Sequence, residues 1–128
     1  MPHCTVEYTR NLDPGADIPG LLAKLAAKFR DSDGVFPIGA IRVRAIRLDE
    51  YVIADGAADD AFVHITVKIG QGRPEAFRKA FFDSFFAIAK DHLASVFDER
   101  GTALSMYVEE VDEQGAYRHN TIHKRFGR

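Results

Sequence analysis

The sequence predicts an α/β (α+β) fold, in which two similar strand–helix–strand halves form one four-stranded sheet with two helices on one face. Three observations support this prediction. Apolar residues alternate along four separate segments, which is the period of a strand. Apolar stripes with the helical period lie between these segments, one in each half. Each strand–strand connection is long enough for a crossover, so the strands of each half are expected to pair in parallel.

At 128 residues the chain is expected to form one domain over 1–128, with pseudo-repeats at about 1–56 and 57–128. The first half begins with a strand in which Cys4, Val6 and Tyr8 alternate with polar residues. Asp17 stands at a helix N-cap position, and Gly34 follows the end of that helix. The apolar stripe of the helix comprises Ile18, Leu22, Leu25 and Phe29.

A second strand is predicted over 40–48. Its two faces differ in character, because one is apolar and the other carries Arg42 and Arg44. The apolar face comprises Ile41, Val43 and Ala45. Two guanidiniums on one strand face are candidates for binding an anion.

The second half repeats this plan, with strands predicted over 62–69 and 104–111. A tight glycine-containing loop over 70–73 ends in Arg73, and Pro74 opens a helix at a position that suits its fixed φ. The apolar side of the first strand comprises Val63, Ile65, Val67 and Ile69. The wide apolar face of the helix comprises Phe77, Phe81, Phe85 and Ile88, with Phe82, Phe86, Ala89, Leu93 and Phe97 beside them.

Composition narrows the function classes. The net charge of −2, with basic residues dispersed among acidic ones, argues against a nucleic-acid-binding protein. We expect neither a membrane span nor a secretory leader, since no apolar run is long enough.

A single cysteine, Cys4, excludes an internal disulfide and suits a reducing cytoplasm; on this strand it is expected to be a buried apolar filler. Neither a metal site nor a dinucleotide site has the necessary residue spacing, so no cofactor is expected.

Two helices can cover only one face of the predicted sheet. The other face is expected to be covered by partner subunits, with the strands that bear Val63, Ile65 and Leu104 at the interface. The sequence therefore predicts an oligomer with no stable monomer.

Pro2 is a candidate catalytic base. It is small enough for the initiator Met1 to be removed ahead of it, which would leave a free secondary amine at the start of a strand. An α-amino group has a pKa of about 7.7–8.0, nearer to neutral pH than a carboxylate or a lysine. Burial and nearby arginines would lower that value further and keep the amine neutral. Arg73, where a loop meets a helix N-terminus, lies in a position that favours an anion.

The chain resembles the tautomerase superfamily, and within it the 5-carboxymethyl-2-hydroxymuconate Δ-isomerase family. The resemblance covers nearly the whole chain and rests on the order and spacing of short segments. These are Met-Pro-His at the start, Ala-Asp-Ile-Pro-Gly-Leu-Leu-Ala-Lys at 16–24, Gly-Val-Phe-Pro-Ile-Gly-Ala-Ile-Arg-Val-Arg at 34–44, Ala-Asp-Gly at 54–56, Ala-Phe-Val-His-Ile-Thr-Val-Lys-Ile-Gly-Gln-Gly-Arg at 61–73 and Ala-Leu-Ser at 103–105.

The resemblance implies a homotrimeric, cofactor-independent enzyme with the tautomerase/MIF-like β-α-β repeat. Its implied reaction converts 5-carboxymethyl-2-hydroxymuconate, a small-molecule polycarboxylate, into 5-oxopent-3-ene-1,2,5-tricarboxylate during bacterial homoprotocatechuate breakdown. Carried onto this sequence, the base is Pro2 and the substrate-binding residues are Arg42 and Arg73. Arg44 faces the same side of its strand as Arg42, so the two assignments are exchangeable. Asp60 departs from the resemblance, which implies an aromatic residue there.

Two other functions stay open at this point. One is a tautomerase of a smaller 2-oxo acid such as phenylpyruvate, and the other is a non-catalytic trimer that binds a ligand or a protein. His64 is expected to be a core or interface residue, whereas His3 either shapes the site or faces solvent. The Asn120–His123 segment resembles the family's tail, and contact with a neighbouring subunit is expected there.

Overall fold

The computed structural model describes residues 1–127 and contains four strands and three α-helices within them. In chain order they are β1 (His3–Thr9), α1 (Ile18–Arg30), β2 (Arg42–Leu48), β3 (Ala61–Gly70), α2 (Glu75–His92), α3 (Ala94–Glu99) and β4 (Thr102–Val111). Short 3-10 helices span Arg10–Leu12, Ile38–Ala40, Glu113–Gly115 and Ile122–Phe126. No helix in residues 1–127 has the length and apolar character needed to cross a bilayer.

The four strands form one sheet in the order β2–β1–β3–β4. Pairing is parallel within each half, between β1 and β2 and between β3 and β4, and antiparallel where β1 meets β3. His3 lies opposite both Arg42 and Lys68, which sets the register at the N-terminal end of β1. The predicted fold and parallel crossovers are confirmed.

Helix α1 begins where its sequence predicts. The Asp17 side chain accepts a hydrogen bond from the Gly20 backbone N–H at 3.1 Å, so it satisfies one of the free N–H groups of the first turn. The expected stripe is offset by one residue, because Leu21 is fully buried while Leu22 is only partly buried. Both positions are compatible with a 3.6-residue period, so the periodicity alone does not choose between them.

The core lies between the helices and one face of the sheet. Phe29 of α1 packs against four other phenylalanine rings, with centroid separations from 4.9 Å to 6.4 Å. These neighbours are Phe36, Phe81, Phe82 and Phe85. Edge-to-face and tilted arrangements predominate, as the ring quadrupoles favour. The phenylalanine-rich helix is therefore core, as expected.

One end of the second helical segment differs from the prediction. The apolar stripe predicts a continuous helix that buries Phe97, but α2 ends at His92 and α3 restarts at Ala94. The break changes which side chain faces inward, so Val96 is buried and Phe97 is 42% exposed. Pro74 also lies one residue outside its predicted position, because it is the N-cap of α2 rather than its first helical residue.

The strands that bear Val63, Ile65 and Leu104 are β3 and β4, and their contact with other subunits remains a prediction. Val63 and Ile65 are fully buried under the helices of the same chain, and Leu104 packs beside them. Alternation along the strands places polar side chains on the opposite face, among them His64, Thr66 and Lys68 on β3. Large apolar side chains on that face are exposed at the sheet edges, namely Ile46 on β2 and Tyr107 on β4.

Candidate active site

A cavity of about 480 Å³ lies at the end of the sheet where the N-terminus, the loop after β3 and the C-terminal segment meet. Met1, Gly70 and Arg73 line it together with Glu113, Arg118 and His123. A larger cavity of about 540 Å³ lies between α2 and β4 and is lined by none of the predicted site residues. The smaller cavity is therefore the candidate site, because Met1 and two arginines, Arg73 and Arg118, line it.

Pro2 is held by the start of β2. It is buried, and its carbonyl accepts a hydrogen bond from the Arg42 backbone N–H at 3.1 Å. With Met1 attached, the nitrogen of Pro2 is a tertiary amide, and the terminal amine that faces the cavity belongs to Met1. Pro2 itself does not line the cavity; removal of Met1, which does, would make the Pro2 nitrogen the terminal amine beside it.

The surroundings lower the pKa of the terminal amine. Burial is the main cause, followed by the positive charges of Arg73, Arg118 and Arg42, whereas the carboxylate of Glu113 opposes them. Burial disfavours the charged ammonium, and adjacent guanidiniums repel it. This part of the molecule therefore favours a neutral amine, the form that can accept a proton.

Arg73 is fixed by the backbone around it. Its Nη1 donates to the Gly70 carbonyl at 2.9 Å, its Nη2 donates to the Val35 carbonyl at 3.2 Å, and its guanidinium lies 4.4 Å from the Phe36 ring centroid. Its buried Nε has no hydrogen-bond partner among residues 1–127. A rigid guanidinium with an unused donor is suited to receive a carboxylate.

The two strand arginines differ in their contacts. Arg42 donates from Nη1 to the Gly39 carbonyl at 3.0 Å and is close enough to lower the amine's pKa. Arg44 is exposed, and its Nη1 donates to Nδ1 of His3 at 3.0 Å. Burial and then Arg44 lower the pKa of His3, which suits the acceptor role of its ring. Of the predicted site residues, only Arg73 lines the cavity. Pro2 and Arg42 are joined through their backbones beside it, and Arg44 lies against His3.

The sequence contains no motif that assigns three of the lining residues to the site, namely Glu113, Arg118 and His123. They lie in a polar segment without periodicity, whose position depends on Gly70 and Val111 being paired at the end of β3 and β4. Asn120 donates to the Gly39 carbonyl at 3.0 Å, so the segment contacts its own chain. The expectation of a neighbouring-subunit contact at Asn120–His123 remains a prediction.

His64 and Cys4 lie outside the cavity lining. His64 Nδ1 is 2.6 Å from the Ser105 hydroxyl, and its ring packs edge-on against Tyr107 on the polar sheet face. Burial raises the pKa of the Cys4 thiol to about 12, which leaves it protonated and unreactive at neutral pH. Within residues 1–127, no group of three or more His, Cys, Asp or Glu side chains is arranged to hold a metal ion.

Comparison with known proteins assigns the family. The sequence model of the 5-carboxymethyl-2-hydroxymuconate isomerase family matches residues 2–126. The chain belongs to this family. A 5-carboxymethyl-2-hydroxymuconate Δ-isomerase from Escherichia coli is 37% identical over 126 residues, which cover 98% of this chain and 99% of the relative.

Solved structures agree with this assignment. The crystal structure of a 5-carboxymethyl-2-hydroxymuconate isomerase from Deinococcus radiodurans R1 is 44% identical, with a TM-score of 0.94 over 99% of this chain and 95% of that one. A macrophage migration inhibitory factor-like protein from Entamoeba histolytica has a TM-score of 0.62 at 13% identity, over 92% of this chain and 96% of that one. The second likeness concerns the fold alone and confirms the tautomerase/MIF-like architecture.

The packing of His123 over Gly39 generates a prediction for the isomerase's C-terminal segment. A methyl group at Gly39 would meet the His123 backbone at 3.0 Å, so Gly39→Ala should displace the 113–126 segment. We expect faster tryptic cleavage at Lys124 and Arg125. Gly15→Ala is the control, because a methyl group there meets nothing within 4 Å. Equal cleavage rates in both variants would show that the segment does not depend on Gly39.

Proposed function

We propose that this isomerase converts 5-carboxymethyl-2-hydroxymuconate into 5-oxopent-3-ene-1,2,5-tricarboxylate, without a cofactor and with the Pro2 amine as the base. The observation that carries the proposal concerns Met1, the residue ahead of Pro2. It lines a cavity with Arg73 and Arg118, and burial and then the arginine charges lower the pKa of its terminal amine. The natural context we propose is homoprotocatechuate/4-hydroxyphenylacetate degradation in the cytoplasm, a location that the single free thiol favours.

The proton moves through Pro2. The neutral amine takes the proton from the 2-hydroxyl group, and electrons shift along the conjugated chain as the enol becomes a ketone. The resulting ammonium then delivers the proton to the carbon that bears the carboxymethyl group, which restores the neutral amine. Both steps are efficient only if the pKa of the Pro2 amine lies near the working pH. The surroundings that lower the pKa of the Met1 amine are expected to act on the Pro2 amine in the same direction.

Arg73 and Arg42 hold substrate carboxylates in this proposal. Arg73 is preorganised by two backbone carbonyls and the Phe36 ring, so little freedom is lost on binding. Arg42 is held by Gly39 at the start of the strand that also anchors Pro2. Anchoring the base and an anion-binding residue on adjacent strands fixes their separation.

We also propose a homotrimer, supported by the free edges of β2 and β4 and by the exposed Ile46 and Tyr107 near them. Free strand edges are suited to pair with or pack against another subunit. Light scattering at micromolar concentration should give three times the mass of the chain. A monomer mass would contradict the assembly without affecting the assignment of the base.

Changing the N-terminus tests the base. Protein that intact-mass spectrometry shows to begin at Pro2 should isomerise the muconate, measured by ultraviolet absorbance. Pro2→Ala, also processed, should keep weak activity because a primary amine replaces the secondary one. Adding one residue ahead of Pro2 should abolish turnover, because the nitrogen becomes an amide without a basic lone pair.

The order of these activities is decisive. Full activity in the extended protein would remove Pro2 from the mechanism. Phenylpyruvate is the competing substrate, and preference for it would indicate a different tautomerase. Failure on both substrates, by protein that begins at Pro2, would indicate a binding protein.

Substitution of the arginines tests substrate binding. Arg73→Ala and Arg42→Ala should each lower kcat/KM about ten- to a hundredfold, since a charge-assisted hydrogen bond contributes about 1.5–3 kcal/mol. A rise in KM alone would indicate ground-state binding, and a fall in kcat would indicate stabilisation of developing charge. Arg44→Ala is the matched control on the same strand face. Equal loss in Arg44→Ala, with none in Arg42→Ala, would exchange their roles.

A further inference from the structure

Arg118 is the second guanidinium that lines the active-site cavity. The methyl position of an alanine at residue 70 would lie 3.7 Å from Arg118 Nη2 and 3.9 Å from Arg73 Nη1. The two arginines therefore flank the same point in the loop after β3. Both also lower the pKa of the Met1 amine, which adjoins the proposed base Pro2 in the chain.

Arg118 is held differently from the other two arginines. Arg73 and Arg42 donate to backbone carbonyls, which are fixed parts of the fold. Arg118 instead donates to the carboxylate of Glu113, through Nη1 to Oε2 at 3.3 Å and through Nη2 to Oε1 at 3.3 Å. The side chains of Arg118 and Glu113 are 37% and 57% exposed. Long contacts between partly exposed side chains form a weak ion pair.

A carboxylate that binds a guanidinium through two parallel hydrogen bonds can be replaced by another carboxylate with the same bidentate geometry. The substrate of the proposed function carries three carboxylates, and Arg42 and Arg73 account for two. Plain 2-hydroxymuconate, which lacks the carboxymethyl arm, carries only two. Arg118 can exchange Glu113 for another carboxylate. It is therefore suited to bind the third carboxylate, which distinguishes the muconate with the carboxymethyl arm from plain 2-hydroxymuconate.

We propose that Arg118 binds the carboxylate of the carboxymethyl arm in place of Glu113, and that this exchange makes the site select tricarboxylates over dicarboxylates. The inference rests on the proposed function for the identity of the substrate. Glu113 has two roles in it. The Glu113 carboxylate keeps Arg118 at the cavity when no ligand is bound. It also stays bound to Arg118 when a dicarboxylate binds, because a dicarboxylate has no third carboxylate to replace it.

Gly70 permits this arrangement. A methyl group there would lie 2.8 Å from Glu113 Oε1, so a larger residue would push the carboxylate away from Arg118. Absence of a side chain at residue 70 thus allows Glu113, Arg118 and Arg73 to share one wall of the cavity.

A pair of unreactive ligands tests the proposal without depending on turnover. Pentane-1,2,5-tricarboxylate is the saturated counterpart of the substrate, and hexanedioate is the same chain without the carboxymethyl arm. Calorimetry on protein that begins at Pro2 should show tighter binding of the tricarboxylate. Arg118→Gln should reduce this preference about ten- to a hundredfold, the effect of one charge-assisted contact, while hexanedioate affinity changes little. Arg118→Lys should retain part of the preference.

Glu113→Gln provides a second test in a protein that keeps Arg118. Tricarboxylate binding should tighten, because no carboxylate competes for the guanidinium. Arg47→Gln is the control, since Arg47 forms an exposed ion pair with Asp49 at 3.1 Å and does not line the cavity. The proposal would be overturned if Arg118→Gln weakened the binding of both ligands equally or left the preference for the tricarboxylate unchanged. Weaker tricarboxylate binding in Glu113→Gln would also overturn it. Muconate turnover by the unaltered protein is scored separately and bears on the proposed function alone.

Discussion

The pairing of β1 with both of its neighbours is the constraint on which the site depends. Because β1 runs parallel to β2 and antiparallel to β3, its first residues lie beside the start of one strand and the end of the other. At the N-terminal end of β1, the Arg42 backbone N–H donates a hydrogen bond of 3.1 Å to the Pro2 carbonyl and so attaches Pro2 to the start of β2. The loop after β3 then brings Arg73 to the same place, so the base and its cations converge through strand register.

The aromatic core extends this rigidity to the cavity. Phe36 is almost fully buried, packs edge-to-face on Phe29 at 5.1 Å, and supports the Arg73 guanidinium on its ring. A cation over an aromatic face is attracted by the ring quadrupole and loses side-chain freedom. Packing between α1 and the sheet is therefore connected directly to the orientation of an anion-binding residue. In this way, the core that stabilises the fold also preorganises the site.

Most of the fold could be predicted because strand and helix periods are local properties of the sequence. Alternation around Val6 and Ile65 identifies two central strands, and Asp17 identifies the start of α1. The prediction for Phe97 is wrong because the backbone breaks at Leu93, between the end of α2 and the start of α3. The pattern itself continues through the break, so it contains no sign of it.

The candidate site could be predicted only in part, for a related reason. Pro2, Arg42 and Arg73 lie in segments whose motifs carry the family resemblance. Arg118 and Glu113 lie in a polar segment without a motif. The pairing of Gly70 with Val111 and the contacts of Asn120 and His123 with Gly39 place that segment at the cavity. Local periodicity identifies strands and helices, but it does not show which distant polar segments meet at their ends.

The pKa of the Pro2 amine tests the central claim most directly. Protein labelled with ¹⁵N-proline, and shown by mass to begin at Pro2, allows the terminal nitrogen to be titrated by NMR. Burial and nearby arginine charges lower the pKa of the Met1 amine. The same surroundings should place the inflection of the Pro2 amine below the ordinary α-amino value of about 7.7–8.0. An inflection at or above that value would show that the cavity does not favour the neutral amine and would contradict the account.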